Sequence, residues 1–118
     1  EINLNNLDYN IKQIKQKAGD REIIGVVKAD GYGHGSVEVS KVLLENGVKT
    51  LAVATLQEAI TLREAGFACP IVMLGITPGM YADTLLKFDL TPVTSSFENA
   101  AAISEAAKAE DKVVEAFI

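Results

Sequence analysis

The sequence has one cysteine, Cys69, and one histidine, His34. A lone cysteine excludes an internal disulfide, and a reducing cytoplasm is its natural setting. A lone histidine with no second His or Cys nearby gives no metal site. No apolar run approaches the roughly 20 residues a membrane helix needs. The start lacks the charged-then-apolar pattern of a signal peptide. Positive charge is in short supply: 11 Lys and Arg stand against 16 Asp and Glu, for a net charge of −5. That argues for solubility and against nucleic acid as a partner. No Pro/Ser-rich stretch or charge block marks an internal linker, so residues 1–118 read as one unit.

What is present is globular in character: 48% of residues are hydrophobic and 23% charged. Leu4, Leu7, Ile11, Ile14 and Ala18 recur at spacings of three and four, one face of a helix ending at Gly19. Ile23 to Val27 reads as a short buried strand. Val39, Val42 and Leu43 mark a helix closed by Asn46-Gly47, and Leu51 to Ala54 a second strand. Thr55 and Glu58 have capping-box spacing, opening a helix that runs to Gly66. Ile71 to Leu74 is a third strand. Pro78 suits the first turn of a helix reaching about Phe88, and Leu90 to Thr94 is a fourth strand. Ser95 and Glu98 repeat the capping-box spacing before an alanine-rich helix. Val113 to Ile118 is expected as a fifth strand.

Strands alternating with helices, each strand a continuous apolar run, predict an α/β fold with a parallel sheet covered on both faces. A doubly wound sheet and part of a (β/α)8 TIM barrel both satisfy the pattern. The chain begins at Glu1 without methionine and stops at Ile118 inside an apolar run. Those ends point to part of a longer protein and favour the barrel, since five strands cannot close one alone. An unclosed barrel exposes strand edges, so self-association is expected of the isolated chain.

The stretch richest in chemistry is VVKADGYGHG, Val26 to Gly35. Lys28 follows the first strand, and active sites lie at the carboxyl ends of parallel strands. A lysine there, partly desolvated, is suited to form a Schiff base with an aldehyde. Gly31, Gly33 and Gly35 let backbone approach a ligand. Tyr32 offers a hydroxyl to a phosphate oxygen, and the next helix N-terminus tolerates anions. Together they suggest a phosphorylated aldehyde, for which pyridoxal phosphate is the usual case. The stretch is neither GxGxxG nor GxxxxGK[ST], so nucleotide readings are poor.

Ordinary roles account for the other polar residues. On position alone, a strand-end lysine is usually a solvated surface residue. His34 reads as a loop or helix-start residue, and Asp30 as a turn residue bonding its own backbone. Cys69 reads as an ordinary thiol, and Met80, Tyr81 and Phe88 as packing residues.

VVKADGYGHG closely resembles the pyridoxal-phosphate attachment signature of bacterial alanine racemases, over ten consecutive residues. INLNNLDYNI, LAVATLQEAITLRE, PIVMLG and LTPVTSS resemble the same family's opening segment, second strand and helix, third strand and fourth-strand region. The resemblance implies the N-terminal part, about five strands, of that family's barrel. It implies pyridoxal 5'-phosphate as cofactor, with Lys28 as the catalytic, cofactor-carrying lysine and as one of two proton-transfer bases. Tyr32 would bond the cofactor phosphate, and Leu74 would pack near the cofactor. It further implies interconversion of L- and D-alanine, supplying D-alanine for peptidoglycan, by a cytoplasmic homodimer. The second base, a tyrosine of the partner subunit, lies outside this sequence, so the chain alone is expected to be inactive. A serine or lysine racemase on the same scaffold, or a non-catalytic barrel that binds pyridoxal phosphate, are the alternatives.

Overall fold

The computed structural model describes residues 2–118. The chain opens with α1 (Leu4–Ala18), whose first turn is capped by Asn3 Oδ1 accepting from Asn5 N–H (3.0 Å). It continues through β1 (Ile24–Val26), a short helical turn α2 (Lys28–Gly33), α3 (Ser36–Glu45), β2 (Thr50–Val53) and α4 (Leu56–Glu64). Next come β3 (Ile71–Ile76), a 3-10 turn (Gly79–Tyr81), α5 (Ala82–Lys87), β4 (Thr91–Val93) and α6 (Phe97–Ala109).

All strand pairs are parallel, in the order β1-β2-β3-β4. A doubly wound sheet reverses its strand order at a switch point. A purely sequential order has no such point, so the sheet is an arc of a (β/α)8 barrel.

The strand side chains divide by alternation. Val27, Leu51, Val53, Ile71 and Met73 point to the helices and are buried, packed with Leu43, Leu62, Leu85 and Ile103. Gly25 has the same parity, and a Cβ there would come within 2.7 Å of Leu43 Cδ1. Its glycine lets α3 settle directly on β1. Of the opposite parity, Ile24, Val26, Leu74 and Ile76 are exposed, while Ala52 and Val72 in the middle of the sheet are buried. The sequence predicted cover on both faces. In this chain the helices cover one, and the face on the inside of the arc is open.

Two helix starts differ from their sequence readings. The cap of α6 is Ser96, not Ser95. Ser96 has the extended backbone a cap requires, and its hydroxyl accepts from Asn99 N–H (3.1 Å). Pro78 stands before a 3-10 turn, and α5 begins only at Ala82. Met80 and Tyr81, read as packing residues, are exposed, whereas Phe88 packs on the core.

The fifth strand does not form. Phe117 makes an isolated parallel bridge with Val93, donating to Pro92 O (3.0 Å) and accepting from Thr94 N–H (2.9 Å). Extending that ladder back toward Glu115 needs an N–H at position 92, and proline has none. Val113 to Ala116 accordingly run alongside β4 without pairing.

Candidate active site

Val26, Ala52 and Val72 form one row across β1, β2 and β3. The ladder continues one step past β1, with Val27 N–H donating to Ala52 O (2.9 Å). Past the row the chain leaves β1 at Val27, whose ψ of 21° is no longer extended, and Lys28 opens the turn that follows. Leu74, two residues past Val72 on β3, has the parity of Val26 and Val72. Lys28 is half-buried and Leu74 is 45% exposed. Among the described residues, no ion pair or hydrogen bond occupies the Lys28 ammonium. The polar partners that usually fix a strand-end lysine on a surface are absent from this set.

The glycine-rich stretch is not a loose loop. Ala29, Asp30, Gly31 and Tyr32 have φ of 50, 52, 62 and 57° with ψ of 47, 48, 36 and 39°. This is one turn of left-handed helix. Each of its three non-glycine residues costs roughly 1–2 kcal/mol relative to right-handed backbone. Such runs persist only where surrounding contacts over-determine them. Gly31 N–H donates to Val27 O (2.9 Å), and Gly35 N–H returns to Asp30 O (2.9 Å). Asp30 Oδ1 accepts from Ser36 N–H (2.7 Å) at the start of α3. Asp30 thus bonds six residues ahead and caps the next helix, rather than closing a turn on its neighbours. His34 ends the turn, exposed, with Nδ1 3.1 Å from Tyr32 O. Tyr32 is 59% exposed, so its hydroxyl is available to a ligand.

The remaining brace comes from another unit of the fold. Glu58, on the first turn of α4, accepts from Ala29 N–H through Oε1 (2.8 Å). Its Oε2 accepts from Ala54 N–H (2.8 Å) and Thr55 N–H (3.1 Å). Thr55 Oγ1 completes the capping box by accepting from Glu58 N–H (3.3 Å). Partial burial raises the Glu58 pKa, but the amides of Ala54, Ala29 and Thr55 and the Thr55 hydroxyl outweigh it and hold the carboxyl below its ordinary value. The capping-box spacing exposed half of this arrangement in the sequence. The reach to Ala29 became visible only with β1 and β2 paired.

The remaining candidates stay in ordinary roles. Burial raises the Cys69 thiol above its usual value, more than the nearby Arg63 charge lowers it, which is the reverse of what a nucleophile needs. No helix of the described residues is long and apolar enough to cross a membrane.

Residues 2–118 match the family described as "Alanine racemase, N-terminal domain". The chain is 52% identical over its whole length to the alanine racemase of Clostridium kluyveri, of which it covers 30%. The solved alanine racemase of Clostridium difficile 630, in complex with cycloserine, superposes with a TM-score of 0.93 at 42% identity, over 98% of this chain and 31% of that one. A histidine racemase from Leuconostoc mesenteroides superposes at 0.87 with 29% identity, over 96% and 30%. The chain thus spans about a third of the length of the relatives it matches. With β1 to β4, the lysine-bearing turn and the segments around them all inside the matched range, the chain belongs to the alanine racemase family, as its N-terminal domain.

Proposed function

We propose that the protein carrying this domain is a pyridoxal-phosphate-dependent amino-acid racemase that interconverts L- and D-alanine, with Lys28 as its reactive amine. The observation that carries the reading is Lys28 itself: a half-buried primary amine just past the carboxyl end of β1, opening a strained left-handed turn and free of an ion-pair partner among the described residues. Lys28, Tyr32 and Leu74 fit the cofactor. The amine suits its aldehyde, the exposed Tyr32 hydroxyl suits its phosphate, and the exposed Leu74 on β3 offers an apolar surface.

Pyridoxal phosphate, when bound, supplies an electron sink that makes the α-proton of an amino acid removable. Lys28 would hold that group through Nζ, and as a free amine Nζ would accept or return the α-proton on one side of the α-carbon. Tyr32 would donate its O–H to the phosphate. Racemisation needs a second base on the opposite side of the α-carbon. The full-length protein supplies it, as a homodimer in this reading, and residues 1–118 alone are inactive.

The test is the full-length protein with L-alanine and added pyridoxal phosphate, monitored for D-alanine by loss of optical rotation. Faster turnover of alanine than of serine, lysine or histidine supports the reading. A preference for one of the others moves the substrate but keeps the lysine. No turnover of any of them leaves the non-catalytic, cofactor-binding alternative.

A further inference from the structure

The peptide bond that joins Lys28 to Ala29 is held by a side chain from a different βα unit. Glu58 Oε1 takes the Ala29 N–H at 2.8 Å, while Oε2 takes Ala54 and Thr55 N–H at 2.8 and 3.1 Å. One carboxylate therefore ties the carboxyl end of β1 to the carboxyl end of β2. Capping α4 needs only the bonds to its own unit, and the bond to Ala29 serves no helix. It meets the first residue of the left-handed run, where Ala29 sits at φ 50° with no glycine to ease it. The later residues of that run have their own restraints, through Gly31 N–H to Val27 O, Gly35 N–H to Asp30 O and Ser36 N–H to Asp30 Oδ1. At Ala29 the restraint from outside the turn is Glu58. Without it, the Lys28–Ala29 peptide can rotate back toward right-handed backbone and carry the Lys28 side chain with it.

We propose that Glu58 is a positioning residue for Lys28: it clamps the strained backbone next to the reactive amine and so aims Nζ at the aldehyde. The inference deepens the proposed function and rests on its assignment of Lys28. Glutamine at 58 keeps one carbonyl oxygen but replaces the other acceptor with an N–H₂ donor, so it cannot serve both sides of the clamp. Aspartate keeps both oxygens on a stem shorter by one methylene.

The experiment uses the full-length protein with pyridoxal phosphate and borohydride, following the rate of adduct formation at Lys28 by peptide mass spectrometry, with thermal midpoints measured in parallel. The set is the unsubstituted protein, Glu58→Gln, Glu58→Ala and Thr55→Ala. Thr55→Ala removes the hydroxyl half of the capping box and leaves the Ala29 bond in place, so it controls for loss of the helix cap. The expected result is a tenfold or greater slowing at Lys28 in Glu58→Gln, with a thermal midpoint no lower than that of Thr55→Ala, which labels at close to the unsubstituted rate. Should Glu58→Ala not fold, Glu58→Gln and Glu58→Asp carry the comparison, with aspartate expected to recover part of the rate. Undiminished labelling at Lys28 in Glu58→Gln, or equal slowing in Thr55→Ala, overturns the clamp while leaving the lysine assignment standing. No selective adduct at Lys28 in the unsubstituted protein overturns the site itself, and the clamp with it.

Discussion

The two ends of α4 hold the fold together in opposite ways. At its start Glu58 accepts three backbone N–H groups, from Ala29, Ala54 and Thr55, at the carboxyl end of the sheet. At its finish Arg63 donates to four backbone carbonyls. Nε bonds Phe88 O (2.8 Å), Nη1 bonds Phe67 O (2.8 Å) and Cys69 O (2.7 Å), and Nη2 bonds Asp89 O (2.7 Å). The anionic end braces the strained turn that carries Lys28 and Tyr32. The cationic end gathers the connections that lead into β3 and β4, where the thiol of Cys69 is held above its usual pKa by burial. Barrels place chemistry at the carboxyl ends of their strands and stability at the other, and one nine-residue helix serves both here.

That division can be broken from either side. The largest effect belongs to Lys28: in the full-length protein Lys28→Met is expected to lower racemisation by at least about 10³-fold with the thermal midpoint little changed. Arg63→Met is the mirror image. Leaving four carbonyls, three of them in partly buried bonds, to find other donors is expected to cost about 2–3 kcal/mol in denaturant unfolding. The trapping rate at Lys28, measured well below the midpoint, should not move. A racemisation defect in Arg63→Met that exceeds its loss of folded protein would erase the distinction between the two ends. Tyr32→Phe should weaken pyridoxal-phosphate binding about tenfold, the worth of one hydrogen bond to a charged group, and leave stability untouched because the ring is mostly exposed. Ala29→Gly relieves left-handed strain and is expected to raise stability by up to about 1 kcal/mol. A destabilised Ala29→Gly would mean that the turn is not strained at that residue. The smallest effect is on pH. The Glu58 carboxyl is held below its ordinary value, so its stabilising contribution is complete above about pH 4.3 and is lost as pH falls through the lowered pKa. Thermal midpoints of the unsubstituted protein and Glu58→Gln should therefore converge in acid and separate toward neutrality.

Much of the frame could be read before any coordinates. The spacing of Leu4 to Ala18 and the apolar runs at Ile23, Leu51, Ile71 and Leu90 located the elements, because local period and caps govern them. Thr55 and Glu58 announced a helix start for the same reason. What escaped notice depends on register between strands. Pro92 stops the Phe117 bridge from growing because it falls on a donor position, and that parity exists only once β4 and the tail are aligned. The second role of Glu58 required β1 beside β2. The left-handed turn was hidden for another reason. Alternating glycines suggested freedom, yet Ala29, Asp30 and Tyr32 adopt the same conformation without glycine, held there by contacts rather than by propensity. At the site, Asp30 proved to be a helix cap.

The most direct test of whether Lys28 is the aldehyde-binding amine is reduction of the full-length protein with borohydride in the presence of pyridoxal phosphate, followed by peptide mapping. A single adduct per chain, at Lys28, is the expected result. Label distributed over the exposed, ion-paired lysines Lys12, Lys41 and Lys108, with no excess at Lys28, would contradict it.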